Sequence, residues 1–185
     1  GVVFNLANML LVAAISVAGL AVAFPVAIGL ALVIGVVGNY MINPQGNPTL
    51  LFTGVGIVLT AIVVDAVAYR FHSLAKTKAD IKSGRSDSIV PKISWKGLLL
   101  SLASGVLMGC FYPLVEKGKE GDTGLGPYAI AFVFALGVLS STFIFNLFFM
   151  NLPVQGQPVE ILDYFKGTPK QHLLGLAGGA IWATG

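Results

Sequence analysis

The chain has 185 residues, of which 56% are hydrophobic and only 10% are charged, and its mean hydropathy is +0.86. A soluble domain carries about 25% charged residues, so this composition excludes an ordinary water-facing surface and indicates an integral membrane protein. The single cysteine excludes a disulfide framework and a cysteine-based zinc site. The net charge of +3 does not indicate a nucleic-acid surface, because most of the basic residues lie in one connection.

Hydropathy predicts an all-α integral membrane protein with about six transmembrane helices. The predicted segments lie at about 1–17, 23–42, 50–69, 97–115, 127–150 and from about 173 onward. An uncharged joint at 18–22 separates the first two segments, and a turn rich in Asn, Pro and Gly at 43–48 precedes the third. The first and last segments are shorter than the roughly 20 residues of a spanning helix. We therefore expect the chain to be the middle of a longer polypeptide.

Loop charge predicts the orientation of these helices. Seven of the eleven Lys and Arg residues lie within 70–96, and such an excess is typical of a cytoplasmic loop. Counting helices from there places 43–48 and 116–126 outside and 151–172 inside. The expected location is the plasma (inner) membrane, with the lipid bilayer as a partner.

Two local patterns predict packing and helix starts. Gly105 to Gly109 and Gly175 to Gly179 both have small residues four apart, a spacing that lets helix backbones approach closely. Thr168 followed by Pro169 is typical of an N-cap with proline at the first helical position. We expect this pair to start the sixth helix.

Three apolar stretches carry a family resemblance. The first is 1–8 together with 19–40, which ends in Gly38-Asn39-Tyr40. The second is Phe145-Asn146-Leu147-Phe148-Phe149-Met150-Asn151-Leu152-Pro153, and the third is 172–182, which ends in Gly178-Gly179-Ala180-Ile181-Trp182. These stretches resemble the drug/metabolite transporter superfamily, and within it the glucose/ribose porter and ureide permease families.

The resemblance implies a ten-helix carrier built as two inverted repeats of five helices. Residues 1–69 would then be the last three helices of the first repeat, 70–96 the basic cytoplasmic loop, and 97–185 the first three helices of the second repeat, the last one truncated. A five-residue similarity between 1–5 and 179–183, in helices that run in opposite directions, agrees with such repeats. The chain contains no Gly-x-x-x-x-Gly-Lys-Ser/Thr pattern. This departs from the nucleotide-binding-like motif of plant ureide permeases, so we expect no nucleotide cofactor.

Polar residues inside the predicted spans are the candidate site residues, because a polar group in hydrocarbon needs a partner or a wet cavity. Asn5 and Asn8 lie three apart and share one helix face. With Asn146 and Trp182 they are the predicted substrate-binding residues, the amides for hydrogen bonds and the indole for stacking. The alternative for each of them is structural, as a hydrogen bond or a packing contact between helices.

Asp65 is the only acidic residue well inside a predicted span. Its carboxyl is a candidate coupling group for a proton or cation. Because it lies only five residues before Arg70, pairing with a cation at the cytoplasmic end is the alternative.

The function that follows is secondary transport of a small neutral polar metabolite by alternating access. The resemblance implies a sugar such as glucose, ribose or rhamnose, or a ureide-like compound. A drug/metabolite exporter of the same superfamily and a non-transporting membrane scaffold are the alternatives. An enzyme is disfavoured, since no catalytic or metal-ligand spacing occurs: the two histidines, His72 and His172, both lie beside loops.

Overall fold

A computed structural model of the chain describes residues 1–82, 94–119 and 124–184, and these residues form helices and no strands. The helices are α1 (Val2–Ala18), α2 (Leu20–Ile42), α3 (Pro48–Lys82), α4 (Trp95–Lys117), α5 (Pro127–Asn151) and α6 (Pro169–Thr184), with a 3-10 helix at Ile161–Lys166.

Four helical stretches are long and apolar enough to cross a membrane, as judged from length and composition. They are Leu20–Ile42, Pro48–Tyr69, Trp95–Lys117 and Pro127–Asn151. The helix α1 is apolar but has only 17 residues, and α6 has 16. The expectation of an all-helical membrane protein is confirmed in this coarse form, with four helices of spanning length where the sequence predicted six segments.

The chain forms two compact units, Gly1–Phe145 and Asn146–Gly185. In the first unit, α4 packs against both α1 and α2. Gly97, near the start of α4, lies against Ala18 at the end of α1. Ser104 of α4 bonds the carbonyl of Ala7. The two helices are therefore antiparallel.

The contact between α2 and α4 is parallel and very close. A methyl carbon built at Gly105 would lie 2.7 Å from the carbonyl oxygen of Ala27, and one at Gly109 would lie 2.6 Å from Cβ of Ile34. The predicted packing role of the Gly105–Gly109 spacing is thereby confirmed. The matching pattern in α6 behaves differently, because methyl carbons at Gly175 and Gly179 would meet nothing within 4 Å.

The helix α3 runs antiparallel to α2. Gly29 of α2 lies against the side chain of Ile62, and Gly19 lies near the hydroxyl of Tyr69. At the other end, the rings of Tyr40 and Phe52 lie 5.6 Å apart between centroids. Within the first unit, α1, α2, α3 and α4 thus alternate in direction.

Two predicted boundaries are wrong. The third spanning stretch ends at Tyr69, as predicted, but the expected start of the loop at residue 70 is wrong, because α3 continues as helix to Lys82. Hydropathy falls after Tyr69, yet the residues that follow include Ala, Leu and Lys, which favour helix, and no Gly or Pro. The expected joint at 18–22 is also too long, because Gly19 alone separates α1 from α2. Its φ of 82° lies in the region that glycine adopts most readily.

The second unit contains the end of α5, the 3-10 helix and α6. The hydroxyl of Thr168 accepts from the backbone N–H of Gln171, 3.4 Å away. In return, the side chain of Gln171 accepts from the N–H of Thr168 at 2.7 Å. This reciprocal cap precedes Pro169, where α6 begins, so the predicted start of the sixth helix is confirmed. Within the predicted loop 151–172, the 3-10 helix is an addition. The basic stretch at 83–93 and the connection at 120–123 lie outside the described residues.

We predict that Gly105→Ala lowers the free energy of unfolding by about 1–3 kcal/mol, because its methyl group would overpack the backbone of α2. Thermal unfolding in detergent, followed by circular dichroism, measures the effect. Gly54→Ala is the matched control, since its methyl group would meet nothing within 4 Å. Equal destabilisation by both variants would contradict the close approach of α2 and α4.

Candidate functional site: polar groups and cavities between the helices

A buried hydrogen-bond network joins α1 to α5. The carboxamide of Asn5, only 3% exposed, donates to the hydroxyl of Ser141 at 2.9 Å and to that of Thr142 at 3.1 Å. The two hydroxyls donate in turn to carbonyls of their own helix, Ser141 to Gly137 and Thr142 to Val138, each at 2.7 Å. Both hydrogens of the Asn5 NH₂ group are therefore used in hydrogen bonds to α5.

A second buried polar contact joins α1 to α4. The hydroxyl of Ser104, which is fully buried, donates to the backbone carbonyl of Ala7 at 2.7 Å. Ser101, one turn earlier, is also fully buried, and its hydroxyl donates to the carbonyl of Gly97 within α4. Small hydroxyl side chains can occupy so close an interface because each satisfies its hydrogen on a nearby carbonyl.

Three aromatic rings pack beside this network. The ring of Phe111 lies 5.0 Å from that of Phe4 and 5.9 Å from that of Phe134, and Phe4 and Phe134 are 5.3 Å apart. These separations are typical of favourable edge and tilted aromatic pairs. The cluster fixes α1, α4 and α5 around Phe111, which also lines the cavities on both of its sides.

The first cavity, of about 310 Å³, lies where the start of α1 and the end of α4 meet the start of α5. Its walls are apolar and include Val3, Phe111, Leu114 and Phe134. Such walls can accept an apolar group but offer few hydrogen bonds to a polar one.

The second cavity, of about 380 Å³, lies between α2 and α4. Phe111 and Tyr112 line it from α4, and Asn39 lines it from α2. The side-chain oxygen of Asn39 is buried, and it has no hydrogen-bond partner among the described residues. Sequence reasoning missed this residue as a site candidate, because Asn39 lies next to a polar turn. The signal that could have identified it is helical spacing, which places Asn39 on the same face of α2 as the apolar residues that line the cavity.

The predicted site residues fall in different places. Asn5 belongs to the network described above, and Asn8 is half-buried on α1, with no side-chain hydrogen bond to another described residue. Asn146 lies on α5 and Trp182 on α6, both in the second unit and both exposed in the isolated chain. Their roles as substrate contacts stay predictions.

Asp65 lies on α3 and is exposed in the isolated chain. It lines neither cavity of the first unit, so the coupling role also stays a prediction. Glu116, at the end of α4, instead pairs with Lys119 at 2.7 Å. Among the described residues, no group of three or more His, Cys, Asp and Glu side chains lies close enough to hold a metal ion.

No family model, no curated protein and no solved structure matches this chain. The class of protein therefore rests on the helices and their packing. It is an all-helical protein with four helices long and apolar enough to cross a membrane. Its buried polar groups and the two cavities of the first unit described above lie between helices. A third cavity, of about 560 Å³, lies in the second unit between the end of α5 and residues 158–162.

We predict that Asn5→Ala and Ser141→Ala each lower the free energy of unfolding by about 1 kcal/mol, as expected for one interhelical hydrogen bond in a membrane protein. The double variant should lose less than the sum, with a coupling of about 0.6 kcal/mol. Unfolding in mixed micelles measures all three. Asn8→Ala serves as the comparison on the same helix face, and additive losses in the double variant would disprove the bond.

Proposed function

We propose that this chain belongs to a secondary carrier that moves a small neutral polar metabolite across a membrane by alternating access. The observation that carries the proposal is where the polar groups and cavities lie. The bonds of Asn5 and Ser104 connect a helix before the basic stretch to helices after it. The two cavities described above are likewise lined by helices from both sides of that stretch. If 1–69 and 97–185 belong to two repeats, these features lie at the repeat interface.

An interface between inverted repeats is where carriers of this architecture bind substrate. Alternating access requires that the two halves separate and close around one site, so contacts between them must be breakable. A few hydrogen bonds of about 1 kcal/mol each and small apolar cavities fit that requirement better than a continuous apolar core does.

A membrane scaffold would also pack its helices through glycines and could use the Asn5 network. In a scaffold, an unpartnered carboxamide oxygen beside a cavity would only destabilise the fold, because a buried polar group without a partner costs about 1–3 kcal/mol of folding free energy. The cavity at Asn39 therefore favours a carrier over a scaffold. An exporter of the same superfamily differs in direction and substrate, and the transport experiment below separates these two possibilities.

The remaining parts of the proposal come from the sequence. The basic stretch 70–96 would face the cytoplasm, with the protein in the plasma (inner) membrane. An ion gradient would supply the energy, and Asp65 would carry the coupling proton or cation. The direct substrate contacts would come from Asn5, Asn8, Asn146 and Trp182. An Asn5 contact would have to replace its bonds to α5, so Asn8 is the better first target.

The test is uptake into proteoliposomes that contain the full-length polypeptide. We expect saturable uptake of one of radiolabelled glucose, ribose, rhamnose or allantoin, increased by a proton gradient. Asn8→Ala should weaken uptake about fivefold, since one hydrogen bond to substrate contributes about 1 kcal/mol.

Asn43→Ala is the matched control, because Asn43 is exposed beyond the end of α2 and should leave uptake unchanged. Efflux of lipophilic compounds with no uptake of the four polar substrates would favour the exporter. If nothing is transported in either direction under any gradient, the carrier proposal is wrong.

A further inference from the structure

The second cavity has one wall from each of two helices. The residues of the α2 wall recur at helical spacing and are Ile28, Ala31, Leu32, Gly35, Val36 and Asn39. The α4 wall consists of Met108, Phe111 and Tyr112. Both helices are long and apolar enough to span a membrane. The cavity is therefore a slot along a parallel helix pair, with Asn39 at the end where both helices finish. It is open on one side, because Leu32 and Tyr112 are nearly half exposed.

The polar group in this slot lacks a partner. The oxygen Oδ1 of Asn39 is buried, and no described donor reaches it. A buried acceptor without a donor is uncommon in folded proteins and calls for an explanation. The NH₂ group of Asn5, in contrast, donates to two hydroxyls only 2.9 and 3.1 Å away.

Water is a poor occupant of the slot. A volume of about 380 Å³ can hold several molecules, but an ordered buried water needs two to four polar partners. Asn39 is the only side chain in the walls with an unpaired buried acceptor, and most of the other lining residues are aliphatic or aromatic. A sugar fits equally badly, since its many hydroxyl groups would be buried without partners.

We infer that the slot between α2 and α4 binds a neutral, mostly apolar molecule that donates one hydrogen bond, from a hydroxyl or N–H group, to the carboxamide oxygen of Asn39. Phe111 and Tyr112 flank the apolar body of this ligand. The inference goes beyond the proposed function, because the ligand of this slot and the polar metabolite moved by the carrier are different molecules. The binding itself does not depend on transport.

The test compares two probes of the same shape. 2-Naphthol donates one hydrogen bond, whereas its methyl ether, 2-methoxynaphthalene, has the same ring system and no donor. Binding to the purified full-length protein in detergent is measured by equilibrium dialysis against protein-free micelles. We expect 2-naphthol to bind about five- to tenfold more tightly than the ether, as one hydrogen bond to a buried acceptor would give.

Asn39→Leu separates a ligand role from a structural one. The substitution keeps the size of the side chain and removes the unpartnered polar group, so the melting temperature should stay the same or rise. The affinity for 2-naphthol should fall to that of the ether. Asn43→Leu makes the same change outside the slot, and we expect it to leave the affinity for both probes unchanged.

Equal binding of the two probes, or unchanged binding of 2-naphthol to Asn39→Leu, would overturn the inference. A lower melting temperature of Asn39→Leu would also overturn it, because Asn39 would then have a structural partner. Different results would disprove the transport proposal. If the protein takes up a sugar or ureide but does not bind 2-naphthol, the carrier proposal is supported and the binding site is disproved. If 2-naphthol binds as predicted but nothing is transported, the binding site is supported and the carrier proposal is wrong.

Discussion

The close approach of α4 to its neighbours is the constraint on which the first unit depends. Helices surrounded by lipid gain little from apolar burial against one another, so packing and hydrogen bonds must hold them. Gly97 brings α4 against α1, while Gly105 and Gly109 bring it against α2. Because a methyl carbon at any of the three would lie within 3 Å of the facing helix, larger side chains there would force the helices apart.

This short spacing explains where polar groups and cavities occur. Ser104 can reach the backbone of Ala7 only because α1 and α4 lie so near each other. Glycines also remove volume from a helix face. A methyl carbon built at Gly35 would lie 3.5 Å from the carbonyl oxygen of Gly109, and Gly35 also lines the cavity between α2 and α4.

Much of the fold could be predicted because hydropathy and helix caps are local signals. The four spanning stretches and the cap at Thr168 were found in this way. The continuation of α3 to Lys82 was missed because hydropathy detects membrane depth and not helix as such. The partners of Asn5 and the cavity at Asn39 depend on pairs of helices far apart in sequence. The sequence could show that Asn5 needed a partner, but it could not show that Ser141 and Thr142 provide it.

Asn5 and Asn39 together show why polarity alone does not identify a site in an apolar helical protein. Both carry the same carboxamide on a helix of the same packed unit. Asn5 has its hydrogens bonded by α5, so its position is explained by stability. Asn39 has a buried oxygen without a partner, which costs about 1–3 kcal/mol in the absence of a ligand. The unpaired oxygen, rather than the asparagine as such, is the feature from which we infer a ligand at this position.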